Sequence, residues 1–230
     1  MLNIQRENAE TRRRYAEAIE KFASGGADSR TKLAGIGSAI VMEFHLKHRT
    51  CPAAFSRSPE KKPLLSWRVE LLPYLGASQL YELFHHDEPW DSPHNAKLIP
   101  YIPSIYKSPA GQSHGGRTNY LAIRGRNCVL DEEPTSMANV RDGMVHTIMI
   151  VEASDDLAVP WTKSEDYKYD AENPTKGLIG LHEDGLLAVF ADASVKLIRP
   201  GNNDDETFAA AFNANDGKHL QLEETRPARK

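Results

Sequence analysis

The chain has 230 residues and a mass of 25.7 kDa, with 40% apolar and 26% charged residues. That is enough to bury a core without metals or disulfides, and it excludes a disordered or fibrous chain. The net charge of -4 comes without a basic face, which argues against a nucleic-acid partner.

No run reaches the roughly 20 apolar residues of a bilayer span, so membrane insertion by this chain is not expected. Met1 to Glu10 is polar and acidic, unlike a secretory signal, and the expected compartment is the cytoplasm. Two cysteines, Cys51 and Cys128, form no disulfide framework and read as independent buried thiols; a bridge between them would need export.

Residues 1–26 read as a polar N-terminal helix, with Tyr15, Ile19 and Phe22 at helical spacing and Gly25-Gly26 ending it. Asp28 or Ser29 is placed to cap a second helix. Its apolar stripe is Leu33, Ile36, Ile40 and Phe44, and it should end before Cys51-Pro52. Residues 52–63 are basic and loop-like. Periodicity leaves 64–75 open between strand and short helix, while 77–86 reads as a short helix, followed by another running from about Ser92 to Leu98.

The rest is richer in strands: 119–124, 147–152, 186–191 and 195–198, with Asp192-Ala193-Ser194 as a hairpin connection between the last two. Val145 to Val151 reads as a buried strand. Residues 204–213 read as a final helix, and 223–230 as a mobile tail beyond a single domain over 27–222. Helices first and strands later, without βαβ alternation, predict an α+β fold whose N-terminal helices pack on an antiparallel sheet.

An ordered series of segments runs through the chain: Leu65-Ser66-Trp67-Arg68, Leu72-Pro73-Tyr74-Leu75, Leu80-Tyr81-Glu82-Leu83-Phe84, Glu88 to Asn95, and Thr118 to Ala122. It continues with Asp142-Gly143, Val159-Pro160-Trp161-Thr162, and His182 ten positions before Asp192. Together these resemble a planctomycete-type domain-of-unknown-function family with a prepilin-like N-terminus and a His-x9-Asp-Gly motif. The resemblance implies a pilin- or pseudopilin-like shape, a setting at the cell surface or periplasm, and no assigned activity. Two departures stand out. The apolar prepilin helix is absent, and the motif's glycine is Ala193, which resists the positive φ of a type I′ turn.

Several groups invite a chemical reading. Gly111-Gln112-Ser113-His114-Gly115 matches a nucleophile elbow followed by Asp142 and His182, but without the strand and helix that pattern requires. His45 and His48 offer two zinc-ligand positions on a helix end, and no third. His85, His86, Asp87, Asp91 and His94, with Glu88 and Asn95, form the densest metal-capable cluster, suited to calcium or zinc. The alternative is a loop tied by Trp90 burial and capping. Glu152, Asp155 and Asp156 stand at a strand end, where an acid–base pair or a solvated turn is expected. His182 with Asp192 reads as a hydrogen bond pinning a hairpin. Trp90 and Trp161, with Tyr167 and Tyr169, read as an aromatic binding surface, for instance for glycans, or as core edge.

The expected function is a non-catalytic structural or binding module that acts in assembly or partner binding through its N-terminal helix. The binding residues are drawn from Trp90, Asp91, His94, Asn95, Trp161, His182 and Asp192. The alternative is a metal site around His85 to Asn95, either a hydrolase or a metal-stabilised loop.

Overall fold

A computed structural model describes residues 27–182, 185–199 and 203–218. The predicted helix over 1–26 and the tail over 223–230 lie outside the described residues.

Helix α1 spans Ser29–Ser38, capped by Asp28, whose carboxylate accepts the Thr31 amide at 2.8 Å. The helix then widens into a π-helical segment, Ala39–Phe44, and closes as α2, His45–His48, where Arg49 takes a left-handed conformation. Leu33, Ile36 and Ile40 of the expected stripe are fully buried, and Phe44 packs partly buried at its end.

Residues 52–63, read as loop, contain strand β1, Phe55–Arg57, paired antiparallel with β2, Pro63–Ser66. Local composition hid this hairpin because its basic residues face outward. The undecided segment 64–75 holds both structures: β2, then α3, Trp67–Glu70, then a 3-10 turn, Leu72–Leu75. Helix α4, Ser78–Tyr81, and a 3-10 stretch, Asn95–Tyr101, follow.

The later strands are β3, Arg117–Thr118; β4, Tyr120–Arg124; β5, Ile148–Glu152; β6, Val159–Pro160; β7, Tyr167–Lys168; β8, Leu186–Phe190; and β9, Val195–Ile198. Helix α5, Asp205–Phe212, completes the described chain, capped by Asp204. The fold is α+β. Its main sheet has the order β7-β4-β5-β8-β9, antiparallel except that β7 lies parallel to β4, and a smaller pair joins β3 to β6. Val145, expected inside a buried strand, is 46% exposed. The strand starts three residues later because residues 143–146 form a turn at Gly143.

Both faces of the sheet are buried, and alternation along the strands divides its side chains between two cores. Tyr120, Ala122, Leu187 and Val189 face α1 and the Trp67 region. Leu121, Ile123, Leu186, Ala188 and Phe190 face Phe208 and Phe212 of α5. A bulge between Ile148 and Ile150 breaks the alternation of β5, so that Met149 and Ile150 both face the α1 side. Beyond it, Glu152 pairs in register with Tyr120, which delivers its carboxylate to the α1 face. Gly37 lets α1 approach closely, since a Cβ there would lie 2.7 Å from Val189.

One buried polar node links the two halves of the chain. The Arg68 guanidinium, fully buried, contacts Asp166 at 2.5 Å, Ser66 Oγ at 2.7 Å and the Tyr120 carbonyl at 2.8 and 3.1 Å. Asp166 also accepts the Ala122 amide and the Trp67 indole N–H. Burial pushes the Asp166 carboxyl up, and the Arg68 charge opposes that shift.

The β8–β9 hairpin departs from expectation. Phe190 pairs with Ser194 across three residues, with the Ala193 amide bonded to the Phe190 carbonyl at 2.9 Å. The loop therefore needs one left-handed residue rather than two, and Ala193 supplies it at φ 67. Asp192 supports the turn by accepting the Ser194 amide and hydroxyl at 2.9 and 2.6 Å. A left-handed alanine costs about 1–2 kcal/mol. Ala193→Gly is expected to raise stability by about 0.5–1 kcal/mol, after the entropy glycine adds to the unfolded chain. Urea denaturation measures this directly.

Cys51 and Cys128 are both buried free thiols, and burial pushes each up to about 12. The unfolded chain releases these protons near pH 8.5, while the native protein keeps them until about pH 12. Above pH 8.5 the native state therefore binds more protons, and stability falls by about 1.4 kcal/mol per pH unit per thiol. Urea midpoints between pH 8.5 and 10 should drop on that slope, and drop less steeply in Cys128→Ala.

Candidate functional site

The sheet's α1 face carries a second buried polar cluster. Glu152, 1% exposed at the end of β5, accepts the Ser29 hydroxyl at 2.7 Å and the Ser108 hydroxyl on one carboxylate oxygen. Its other oxygen meets His182 Nε2 at 2.5 Å. Ser29 comes from the first turn of α1. Ser108 comes from the loop before β3, where its hydroxyl also accepts the Ala110 and Gly111 amides at 3.1 and 2.9 Å. Tyr120 completes the group. Its hydroxyl is buried beside Ser29, Ser108 and Glu152; burial, and then the Glu152 charge, push it far above the ordinary phenol range, and the Ser29 and Ser108 hydroxyls oppose that shift.

A cleft of about 630 Å³ reaches this cluster at Ser29 and His182, a volume typical of small-molecule sites. Ser29, Arg30 and Lys32 of α1 line one side, Pro109, Ala110 and His182 another, and Leu187 and Leu197 give it an apolar wall. Lys32 Nζ donates to the Ser104 and Lys107 carbonyls at 2.9 and 2.8 Å. Burial and the nearby Lys107 charge hold its amine below the ordinary lysine value, and Glu152 opposes them.

His182 thus pairs with Glu152, not with Asp192 as its spacing suggested, because Asp192 closes on its own turn. Glu152 parts company with Asp155, whose carboxylate takes the Gln112 amide and the Asn119 side chain. Those bonds hold it below the usual carboxylate range.

The His85–Asn95 segment is organised around Asn95, which is fully buried. It accepts the His85 amide and donates to the carbonyls of His85, Glu88 and Pro89. His85 stacks on His94 with centroids 3.5 Å apart and also contacts Glu88. His86 and His94 each direct Nε2 at a backbone carbonyl, of Tyr81 and Leu83 respectively. Asp87 and Asp91 are both exposed. Among the described residues no group of three or more His, Cys, Asp or Glu side chains is arranged to hold a metal ion.

The two tryptophans do not form one surface. Trp161 is fully buried, donates to the Ile99 carbonyl at 3.0 Å and stacks on Tyr106, whereas Trp90 is half-buried beneath Lys163. Tyr167 is buried as well, its hydroxyl tied to Pro174 and Lys176. Ser113 bonds Asn119, and Asp142 holds the Asp216 and Gly217 amides, so neither belongs with His182. His48 stacks on Phe44 and reaches the Tyr74 hydroxyl at 2.5 Å.

Sequence reasoning missed Ser29, Lys32, Ser108 and Tyr120 as members of a site. One signal was available: Ser29-Arg30-Thr31-Lys32 is an S-x-x-K pattern at a helix start.

Residues 27–119, less than half of the chain, match the family described as "Protein of unknown function (DUF1559)". That match supports the resemblance to a domain-of-unknown-function family and stops short of His182 and Asp192. No curated protein and no solved structure matches the chain. No described helix is long and apolar enough to cross a membrane.

The pairing of His182 is open to a double-mutant cycle. Coupling between His182→Ala and Glu152→Ala is expected at about 1.5 kcal/mol or more, while His182→Ala with Asp192→Ala should add to within about 0.5 kcal/mol.

Proposed function

We propose that this chain is a pseudopilin-like structural and binding module that works by assembly, with a second copy of itself packed against the outer face of the last turns of its first helical run, the π-helical segment and α2. The observation that carries this reading is the outward pair Met42 and Leu46, 55% and 59% exposed, at the end of a helical run whose earlier stripe, Leu33, Ile36 and Ile40, is fully buried. Four residues apart, they share one helix face. Glu43 and Lys47 flank them on the same exposed surface with opposite charges. A second copy in antiparallel orientation would set each acid against the partner's base around an apolar centre, as a two-fold interface requires.

The architecture supports the same reading. The helix lies along a largely antiparallel sheet, and the polar groups around Arg68 and Asn95 are engaged in holding the fold. The proposed setting is the cell surface or periplasm, which follows from the family resemblance alone.

Sedimentation equilibrium over a wide concentration range tests it. The expected result is concentration-dependent self-association that disappears in Met42→Asp/Leu46→Asp with an unchanged circular dichroism spectrum. A strict monomer at the highest concentration overturns the proposal.

A further inference from the structure

The cluster under the cleft has the parts of a nucleophilic hydroxyl site, a chemistry beyond assembly. Ser29 stands in the first turn of a ten-residue helix and lines the cleft, and its hydroxyl donates to a buried carboxylate at 2.7 Å. Serine is a weak nucleophile until a neighbouring base removes its proton, and a positioned carboxylate within hydrogen-bond reach is such a base. Glu152 is held for that task. Ser108 fixes the same oxygen and His182 holds the other, from a position where its side chain is 24% exposed.

Two further features separate this from an ordinary structural network. The Tyr120 hydroxyl is fully buried beside the Ser29 and Ser108 hydroxyls, with no hydrogen bond of regular geometry among the described residues. A buried polar atom without a partner calls for an explanation. A Ser29 oxygen that has lost its proton to Glu152 would give that phenol a charged acceptor in place of a loosely placed neutral hydroxyl. In addition, the Ser29 and Arg30 amides have no acceptor among the described residues, because the Asp28 cap takes only Thr31 and the Asp28 carbonyl only Lys32. Free amides at a helix start stabilise an oxyanion, and Lys32 one turn on adds positive charge to the same wall.

We infer that Ser29 is a nucleophile for acyl transfer from a small carboxylic ester, with Glu152 as its general base and His182 as the residue that positions Glu152. The Ser29 Oγ forms a bond to the ester carbonyl carbon as its proton passes to Glu152. The carbon–oxygen bond to the alcohol then breaks, and that oxygen leaves with the proton from Glu152. Water repeats the sequence: its proton goes to Glu152, its oxygen bonds the acyl carbon, and Ser29 Oγ departs and takes the proton back. Leu187 and Leu197 would face the acyl chain, which favours a short apolar acyl group over a charged one.

The test uses the full chain with a fluorophosphonate probe and p-nitrophenyl butyrate. The expected result is one covalent phosphonyl adduct, mapped by peptide mass spectrometry to Ser29 of the unaltered protein. Ester turnover should fall at least 100-fold in Ser29→Ala and in Glu152→Gln. His182→Gln should keep the adduct at Ser29 and shift the pH profile of its labelling rate. A folded wild-type protein that takes no probe overturns the inference, as does an adduct on Ser108 or any other serine. Mapping on the wild-type chain keeps the result decisive if a variant does not fold.

Discussion

The Arg68 guanidinium is the constraint on which the rest of this structure hangs. A buried charge is tolerated only when it is paired and its remaining donors are satisfied. Arg68 meets that condition with one local partner, Ser66, and two from distant segments, the Tyr120 carbonyl in β4 and Asp166 just before β7. Asp166 in turn holds the Ala122 amide and the Trp67 indole. The node therefore fixes where the β2–α3 corner meets the sheet, and places β7 parallel against β4. Removing either partner would leave the other charge buried alone, a change that costs about 3–5 kcal/mol in comparable cases.

That fixed sheet sets the position of the Glu152 cluster. Tyr120, whose carbonyl receives Arg68, is the cross-strand partner of Glu152. The bulge in β5 decides which face Glu152 takes. Without the extra residue the alternation would turn this carboxylate toward Phe208 and Phe212, an apolar core with nothing to receive it. With it, the carboxylate meets Ser29 at the start of α1, so the same contacts that dock the helix also build the floor of the cleft.

The surface proposed for assembly and the cleft lie at opposite ends of the same helical run. Ser29 to Lys32 faces the cleft, while Met42 and Leu46 face outward beyond the π-helical turn. A π-helical segment shifts the helix phase between its two ends. Here it separates a half buried against the sheet from a half in which Met42 and Leu46 are turned to solvent. Self-association and acyl-transfer chemistry can therefore be tested independently, with variants at opposite ends of the helical run.

Local pattern was enough to read helix α1 with its buried stripe and a cap at Asp28 or Ser29, strands β4, β5, β8 and β9, helix α5, and the α+β class; the structure chose Asp28. These features repeat every two or 3.6 residues, so a short window of sequence contains them. The β1–β2 hairpin, the parallel placement of β7 and the single left-handed residue at Ala193 were decided by tertiary structure, where packing and turn length override composition. The site was decided there too. Ser29 and Glu152 are 123 positions apart, and Glu152 and His182 are 30 apart. His182 and Asp192, ten apart and suggestive in the sequence, do not pair, and Trp161, read as a binding ring, fills the core. Sequence spacing carries no information about which face a bulged strand presents, and it is that face which brings the carboxylate, the hydroxyls and the imidazole together.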